Sequence, residues 1–192
     1  MITILDHSIP EWLYKEVDQY FIPLSFQPVS VLDIGANIGA FAQRAHAKWP
    51  AAKIFCYEPM PFNVTRLRRN VPESTAIISA AVREKNGLDE IFIGDNLATS
   101  GFRQLGRQSQ QKMLVECVAA SELPSCDIVK IDTEGCEVEI LQTLPLKMTK
   151  AIFLEYHTRE DSQSIKAILA SEFSLVSEDS LQDLGMLLFV RK

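Results

Sequence analysis

Residues 31–39 read Val-Leu-Asp-Ile-Gly-Ala-Asn-Ile-Gly, and a second apolar run closes on Tyr57-Glu58-Pro59. An apolar strand entering an acidic, glycine-rich turn and a helix, then a strand ending in a carboxylate, is how an open parallel sheet holds an adenosine. The spacing narrows the ligand. Gly35 and Gly39 are four apart and the turn opens on Asp33, so the string is D-x-G-x-x-x-G; the G-x-G-x-x-G of nicotinamide sites is absent. With a later Glu, that is the pattern of S-adenosylmethionine sites. Gly35 and Gly39 let the backbone approach a ligand, and the helix starting near Gly39 offers unpaired N–H groups to its carboxylate. Asp33 can accept hydrogen bonds from the turn or from the ligand's ammonium, and Asn37 tolerates a left-handed backbone. Glu58 is placed to accept both ribose hydroxyls, with Pro59 and Pro61 ending the strand and starting the next helix. The adenine is expected against Ala80, Ala81 and Val82 and the side chain of Met60 or Phe62.

A second string, Asp127-Ile-Val-Lys-Ile-Asp-Thr-Glu-Gly-Cys-Glu, gathers Asp132, Glu134 and Glu137 at the end of one strand. Crowded carboxylates repel one another and raise at least one pKa unless a cation, hydrogen bond or substrate compensates. Lys130 is the nearest candidate cation, although alternation points it to the face opposite Ile131. The next strand ends Glu155-Tyr156-His157, and His157 is the one histidine in a site position; His7 and His46 read as peripheral. A near-neutral imidazole there can take a proton from an acceptor hydroxyl. Two other readings compete: a structural histidine, and a divalent metal ligand with Asp132 and Glu155. The expectation is catalysis by His157, Asp132 and Glu134, with no metal site assigned.

These groups need elements to position them. Apolar residues from Ile9 to Phe21 recur at helical spacing, predicting an amphipathic helix that caps the core or borders the pocket. Strands are predicted at 30–34, 53–57, 75–82, 127–132, 151–156, 173–177 and 186–191, and helices at 39–48, 61–70 and 135–144. Strand alternating with helix predicts an α/β fold: a mainly parallel sheet with right-handed crossovers, helices on both faces and a binding edge at the strands' carboxyl ends. From Asp89 to Val118 a hairpin-like excursion interrupts the alternation. Its polar stretch, 94–111, is the candidate lid, with a plain surface loop as the alternative. No strong helix separates the last two strands, which allows the last to run antiparallel.

The chain has 192 residues, 47% of them hydrophobic, enough for one well-buried core and short for two. One catalytic domain over 1–192 is expected, residues 1–28 forming a helical cap and 29–192 the core. A net charge of −6 argues against a polyanion partner such as nucleic acid. Arg66, Arg68 and Arg69 read as a solvated helix face. Cys56, Cys117, Cys126 and Cys136 lack C-x-x-C spacing, which points to free thiols in a reducing cytoplasm. No secretory signal and no apolar run of about 18 residues is found, so a soluble, cytoplasmic protein without a membrane span is expected.

Together these strings resemble the FkbM family of S-adenosylmethionine-dependent methyltransferases. The resemblance covers most of residues 29–191 and rests on Val31–Gly39, on Tyr57–Asn63 with Asn70, on Ile128–Glu137 and on Phe153–His157; the pairing of D-x-G-x-N-x-G with K-I-D-x-E-G-x-E is its specific part. It implies a class I, Rossmann-like fold with a seven-stranded sheet and an antiparallel last strand. It also implies methylation of a hydroxyl on a sugar, lipid, polyketide or similar small molecule. By position, Asp33, Gly35, Asn37 and Gly39 match the donor loop, Glu58 the ribose carboxylate, and Asp132, Glu134 and Glu137 the family's acidic signature. One departure is Ala120-Ser121-Glu122, where the family often has an acidic residue before the fourth strand. Acceptor choice is expected to come from the N-terminal helix and the 94–111 loop. The rival readings are an N- or RNA-directed methyltransferase and a non-catalytic S-adenosylmethionine-binding module.

Overall fold

Alternation along each strand decides which helices it meets. A computed structural model describes residues 8–94, 100–103, 108–181 and 183–192. In chain order its elements are α1 (Glu11–Asp18), β1 (Ser30–Ile34), α2 (Ala40–Lys48), β2 (Lys53–Tyr57), α3 (Pro61–Asn70), β3 (Ala76–Ile78) and β4 (Ala81–Arg83). There follow β5 (Gly87–Gly94), β6 (Gln108–Ala119), β7 (Ile128–Ile131), α4 (Glu137–Thr143), β8 (Ala151–Tyr156), α5 (Arg159–Leu169), β9 (Phe173–Leu181) and β10 (Leu184–Arg191). Among the described residues, seven strands form one sheet in the order β3-β2-β1-β7-β8-β10-β9, and β4-β6-β5 form a second. Strands β3, β2, β1, β7 and β8 pair in parallel; β10 runs against both β8 and β9, so it alone is reversed in the main sheet.

Leu32, Ile34, Val129, Ile131, Ile152 and Leu154 face one way and pack against Ile140 and Leu141 of α4 and Ile165 and Leu169 of α5. Val31, Ile128, Ala151 and Phe153 face the other way and meet α1, α2 and α3 through Leu13, Phe41 and Leu67. Burying each such side chain contributes about 1.5–3 kcal/mol, so two covered faces hold the sheet in register. Aromatic packing reinforces the second layer: Tyr20 stacks on Phe153 at 6.0 Å and meets Phe41 edge-on at 5.8 Å. No helix among the described residues is long and apolar enough to cross a membrane.

Three elements depart from the sequence reading. The expected third strand, 75–82, is two short strands in different sheets: β3 pairs with β2, whereas β4 pairs in parallel with β6. Helix α5 was not anticipated, although Thr158 caps it by accepting from Asp161 N at 3.0 Å and Glu160 and Asp161 fill its first turn. Strand β9 extends to Leu181 and forms a hairpin with β10. Of the candidate lid, residues 95–99 and 104–107 lie outside the described residues, as does His7. Within 100–103, Gly101 pairs with Phe92 and leaves no room beside Glu134: an added Cβ would sit 2.6 Å from the Glu134 carbonyl oxygen.

Candidate active site

The carboxyl ends of β1, β2, β7 and β8 border one cavity, and α1 closes its side with Trp12, Leu13, Glu16 and Val17. The cavity encloses ≈ 210 Å³, far more than the roughly 10–15 Å³ that one water needs, so the side chains of the described residues do not plug it.

The glycine turn is built from left-handed residues: φ is +75° at Gly35, +51° at Asn37 and +94° at Gly39. Gly35 N and Ala36 N both donate to Tyr57 O at 3.0 Å, which ties the turn to β2. Gly35, Ala36 and Asn37 line the cavity. A Cβ at Gly35 would lie 1.7 Å from Asp132 O, so this glycine also allows β7 to close on the turn. Gly39, at the start of α2, does not line the cavity; its missing side chain makes room for Leu67 and Val71 of the neighbouring helix region. Gly35→Ala is therefore expected to lower stability by more than the roughly 1–2 kcal/mol of a left-handed alanine, because the clash is with backbone; urea unfolding measures it.

Glu58 faces the same cavity from the end of β2. Its carboxylate accepts from Asn37 N at 2.8 Å, Met60 N at 2.9 Å and Asn63 Nδ2 at 3.3 Å. Burial pushes its pKa up to about 7, with those donors and Lys130 pulling the other way. Pro59, Met60, Ala80, Ala81 and Val82 complete this end of the cavity. Phe62 does not take part; it lies on the exposed side of α3.

Asp33 is placed differently from the reading that gave it a ligand contact. It is fully buried, absent from the cavity wall, and paired in register with Lys130. Lys130 Nζ lies 3.3 Å from Asp33 Oδ1 and 3.3 Å from Asp132 Oδ2, and donates to Gly35 O at 2.7 Å. Burial works to lower the Lys130 pKa, and the two carboxylates outweigh it and raise it. Burial raises Asp33, opposed by Lys130. Asp132 N donates to Ile34 O, so β1 and β7 are tied together where the acidic turn begins.

Asp132, Thr133 and Glu134 continue the cavity wall, and Glu155 faces them from β8. Glu134 has φ +57° and Gly135 φ +110°, a left-handed pair that turns the chain into α4. Glu137 is buried below, its Oε1 accepting from Thr133 N, Thr133 Oγ1 and Gly135 N. His157 stands between these carboxylates and does not line the cavity: Nε2 is 3.3 Å from Glu134 Oε2 and Nδ1 is 3.5 Å from Glu137 Oε1. Burial works to lower the imidazole pKa, but facing Glu137, Glu134 and Glu155 brings it up to about 10. Burial likewise works to raise Glu137, and the imidazolium and backbone donors bring it down to about 2. The expected near-neutral histidine is thus an imidazolium held by carboxylates. Burial and the Asp132 charge raise Glu155 well above the usual range, and the same two causes raise Glu16.

The sequence reading did not assign Glu16 or Arg103; it offered Lys130 as the cation among the carboxylates, and Lys130 does pair with Asp132, while its pairing with Asp33 was not assigned. Arg103 Nη1 bonds both Asp161 oxygens, at 3.1 and 3.0 Å, while its stem covers Gly135. Of the basic cluster, Arg66 is buried and donates to Ser8 O at 2.9 Å, holding the N-terminal segment; Arg68 and Arg69 are exposed as expected. All four cysteines are buried and free.

A parallel sheet with one reversed strand, helices on both faces and a glycine turn opposite a strand-end carboxylate defines a class I methyltransferase fold. The chain belongs to the methyltransferase FkbM domain family, whose model matches residues 33–178. It is 28% identical over 155 residues to the hexuronic acid methyltransferase AglP of Haloferax volcanii, covering 76% of this chain and 63% of that protein. It is 25% identical over 155 residues to the 2-O-methyltransferase NoeI of Sinorhizobium fredii, covering 68% of this chain and 64% of that protein. The chain thus spans just under two thirds of either relative. The crystal structure of methyltransferase FkbM from Methylobacillus flagellatus superposes with a TM-score of 0.59 at 11% identity, covering 91% of this chain and 50% of that one.

Proposed function

We propose that this protein transfers a methyl group from S-adenosylmethionine to a hydroxyl of a small carbohydrate-type acceptor. The observation that carries the reading is one cavity lined both by a buried strand-end carboxylate, Glu58, and by the acidic turn of Asp132 and Glu134. Glu58 takes the ribose hydroxyls of the donor, the Gly35–Asn37 turn, its own N–H groups bonded to Tyr57 O and Glu58, lies close against the amino-acid part, and Ala81 with Pro59 borders the base. In the acidic turn Asp132 orients the acceptor hydroxyl. The oxygen attacks the sulfonium methyl, the new C–O bond forms as the C–S bond breaks, sulfur keeps the electron pair, and the proton passes to Glu134. The donor carries the driving force, so alignment and exclusion of water supply most of the acceleration. His157, an imidazolium off the cavity wall, acts as a positioning residue that holds Glu134 and Glu137, and is not the base.

The sugar class follows the names of the two relatives, a hexuronic acid and a 2-O-methyltransferase. A reducing cytoplasm suits four buried free thiols. Residues 8–28 cap the catalytic core, and the acidic net charge of −6 disfavours a nucleic-acid acceptor.

Calorimetric titration with S-adenosylhomocysteine tests the donor half; absence of saturable heat would retire it. A mass-spectrometric search for a one-methyl gain across uronic acids and other sugars tests the acceptor half. Glu58 also makes a pH prediction. Ribose hydroxyls bond the carboxylate form, and Glu58 titrates at about 7, so affinity for S-adenosylhomocysteine should be flat above that pH and fall about tenfold per unit below it. Glu58→Gln should bind more weakly and show no such slope.

A further inference from the structure

We infer that Asp132, Glu155 and His157 form a binding site for one divalent cation beside the acceptor end of the cavity. One ligand atom from each of the three lies within 4.8 Å of the others. Ligand atoms on a common ion at about 2.0–2.2 Å stand up to roughly 4.4 Å apart, so movements of a few tenths of an ångström complete the set. The backbone fixes the grouping. Strands β7 and β8 pair in parallel with Ile131 opposite Leu154, which brings Asp132 and Glu155 to the same sheet edge, with His157 two residues beyond.

The third group is a histidine. It is only 8% exposed, with Nδ1 3.5 Å from Glu137 Oε1 and Nε2 3.3 Å from Glu134 Oε2. Behind it sits Glu137, whose Oε1 is immobilised by Thr133 and Gly135. A buried imidazole backed by a fixed carboxylate on one nitrogen, with the other nitrogen turned toward carboxylates, is the carboxylate–histidine–metal arrangement. Nδ1 faces Glu137, so Nε2, which pairs with Glu134 Oε2 at 3.3 Å in the ion-free protein, is the atom left for coordination. Lys130 engages Asp132 through Oδ2, leaving Oδ1 for the ion.

Two carboxylates and one imidazole suit a manganese-like ion, and their two negative charges balance a dication. Metal entry displaces the imidazole proton. Asp132 and Glu155 line the cavity, so an ion on them faces it and can take neighbouring hydroxyls of a sugar into its remaining positions, lowering the pKa of the one to be methylated. That purpose rests on the proposed methyl transfer; ion binding itself does not.

The test is titration of chelator-treated protein with Mn2+, followed by the free-ion resonance signal, with S-adenosylhomocysteine calorimetry on the same sample. One ion per chain is expected, bound at least about tenfold more weakly by Glu155→Gln. The bound ion should also show the spin-echo modulation of one imidazole nitrogen, lost in His157→Gln. If that variant fails to fold by circular dichroism, the nitrogen modulation of the unmodified protein decides. Absence of saturable Mn2+ binding up to about 1 mM, equal affinity in Glu155→Gln, or a bound ion without nitrogen modulation would each overturn the site. Donor binding without Mn2+ binding removes the ion alone; Mn2+ binding without donor binding supports the ion and removes the methyl-transfer reading.

Discussion

Lys130→Met is expected to destabilise the protein by about 3–5 kcal/mol in urea unfolding at neutral pH, although methionine nearly matches the volume of the lysine stem. Lys130 is 3% exposed and supplies the positive charge between Asp33 and Asp132. Without it a fully buried carboxylate has no counter-ion, and Gly35 O loses its 2.7 Å donor. Asp33→Asn combined with Lys130→Met should recover much of the loss, because the stranded charge leaves with its partner. A single substitution costing under about 1 kcal/mol, the scale of a solvent-exposed pair, would show that Asp33 is already neutral.

Asp132→Asn should lower kcat by about 10²–10⁴ while leaving the dissociation constant for S-adenosylhomocysteine nearly unchanged. In the proposed reaction this side chain meets the acceptor; it lines the cavity, and Asp132 N is anchored on Ile34 O. Asparagine keeps the shape and loses the charge that aligns the hydroxyl or an ion holding it. Steady-state kinetics beside calorimetry separates the two effects, and a fall in donor affinity matching the fall in kcat would assign Asp132 to donor binding.

The parallel sheet was readable because its strands are short apolar runs bounded by Gly, Pro and acidic residues, and β1, β2 and β8 begin and end where the residue pattern puts them. Asn37's left-handed backbone and the position of Glu58 on the cavity followed from residue type and spacing alone. What escaped depended on contacts distant in sequence. Alternation put Lys130 on the face opposite Ile131, but only the register Asp33↔Lys130 turns that into a buried ion pair that takes Asp33 off the cavity wall. The histidine looked like a near-neutral base because nothing near residue 157 announces Glu137, which arrives from the start of α4. Glu16 belonged to a legible amphipathic helix, yet which side chain would meet the cavity depends on how α1 settles on α2. Helix α5 was legible in principle from Thr158, its acidic first turn and the Ile165–Leu169 spacing.

The split of the expected third strand has a consequence for how the binding slot evolves. Ala81 and Val82 belong to the small sheet, while Glu58 closes a strand of the large one, so the cavity lies between two separately built jaws. Under the proposed donor pose, substitutions along β5 or β6 would adjust the gape of that slot while Glu58 stays put, a route to tuning donor grip without touching the carboxylate.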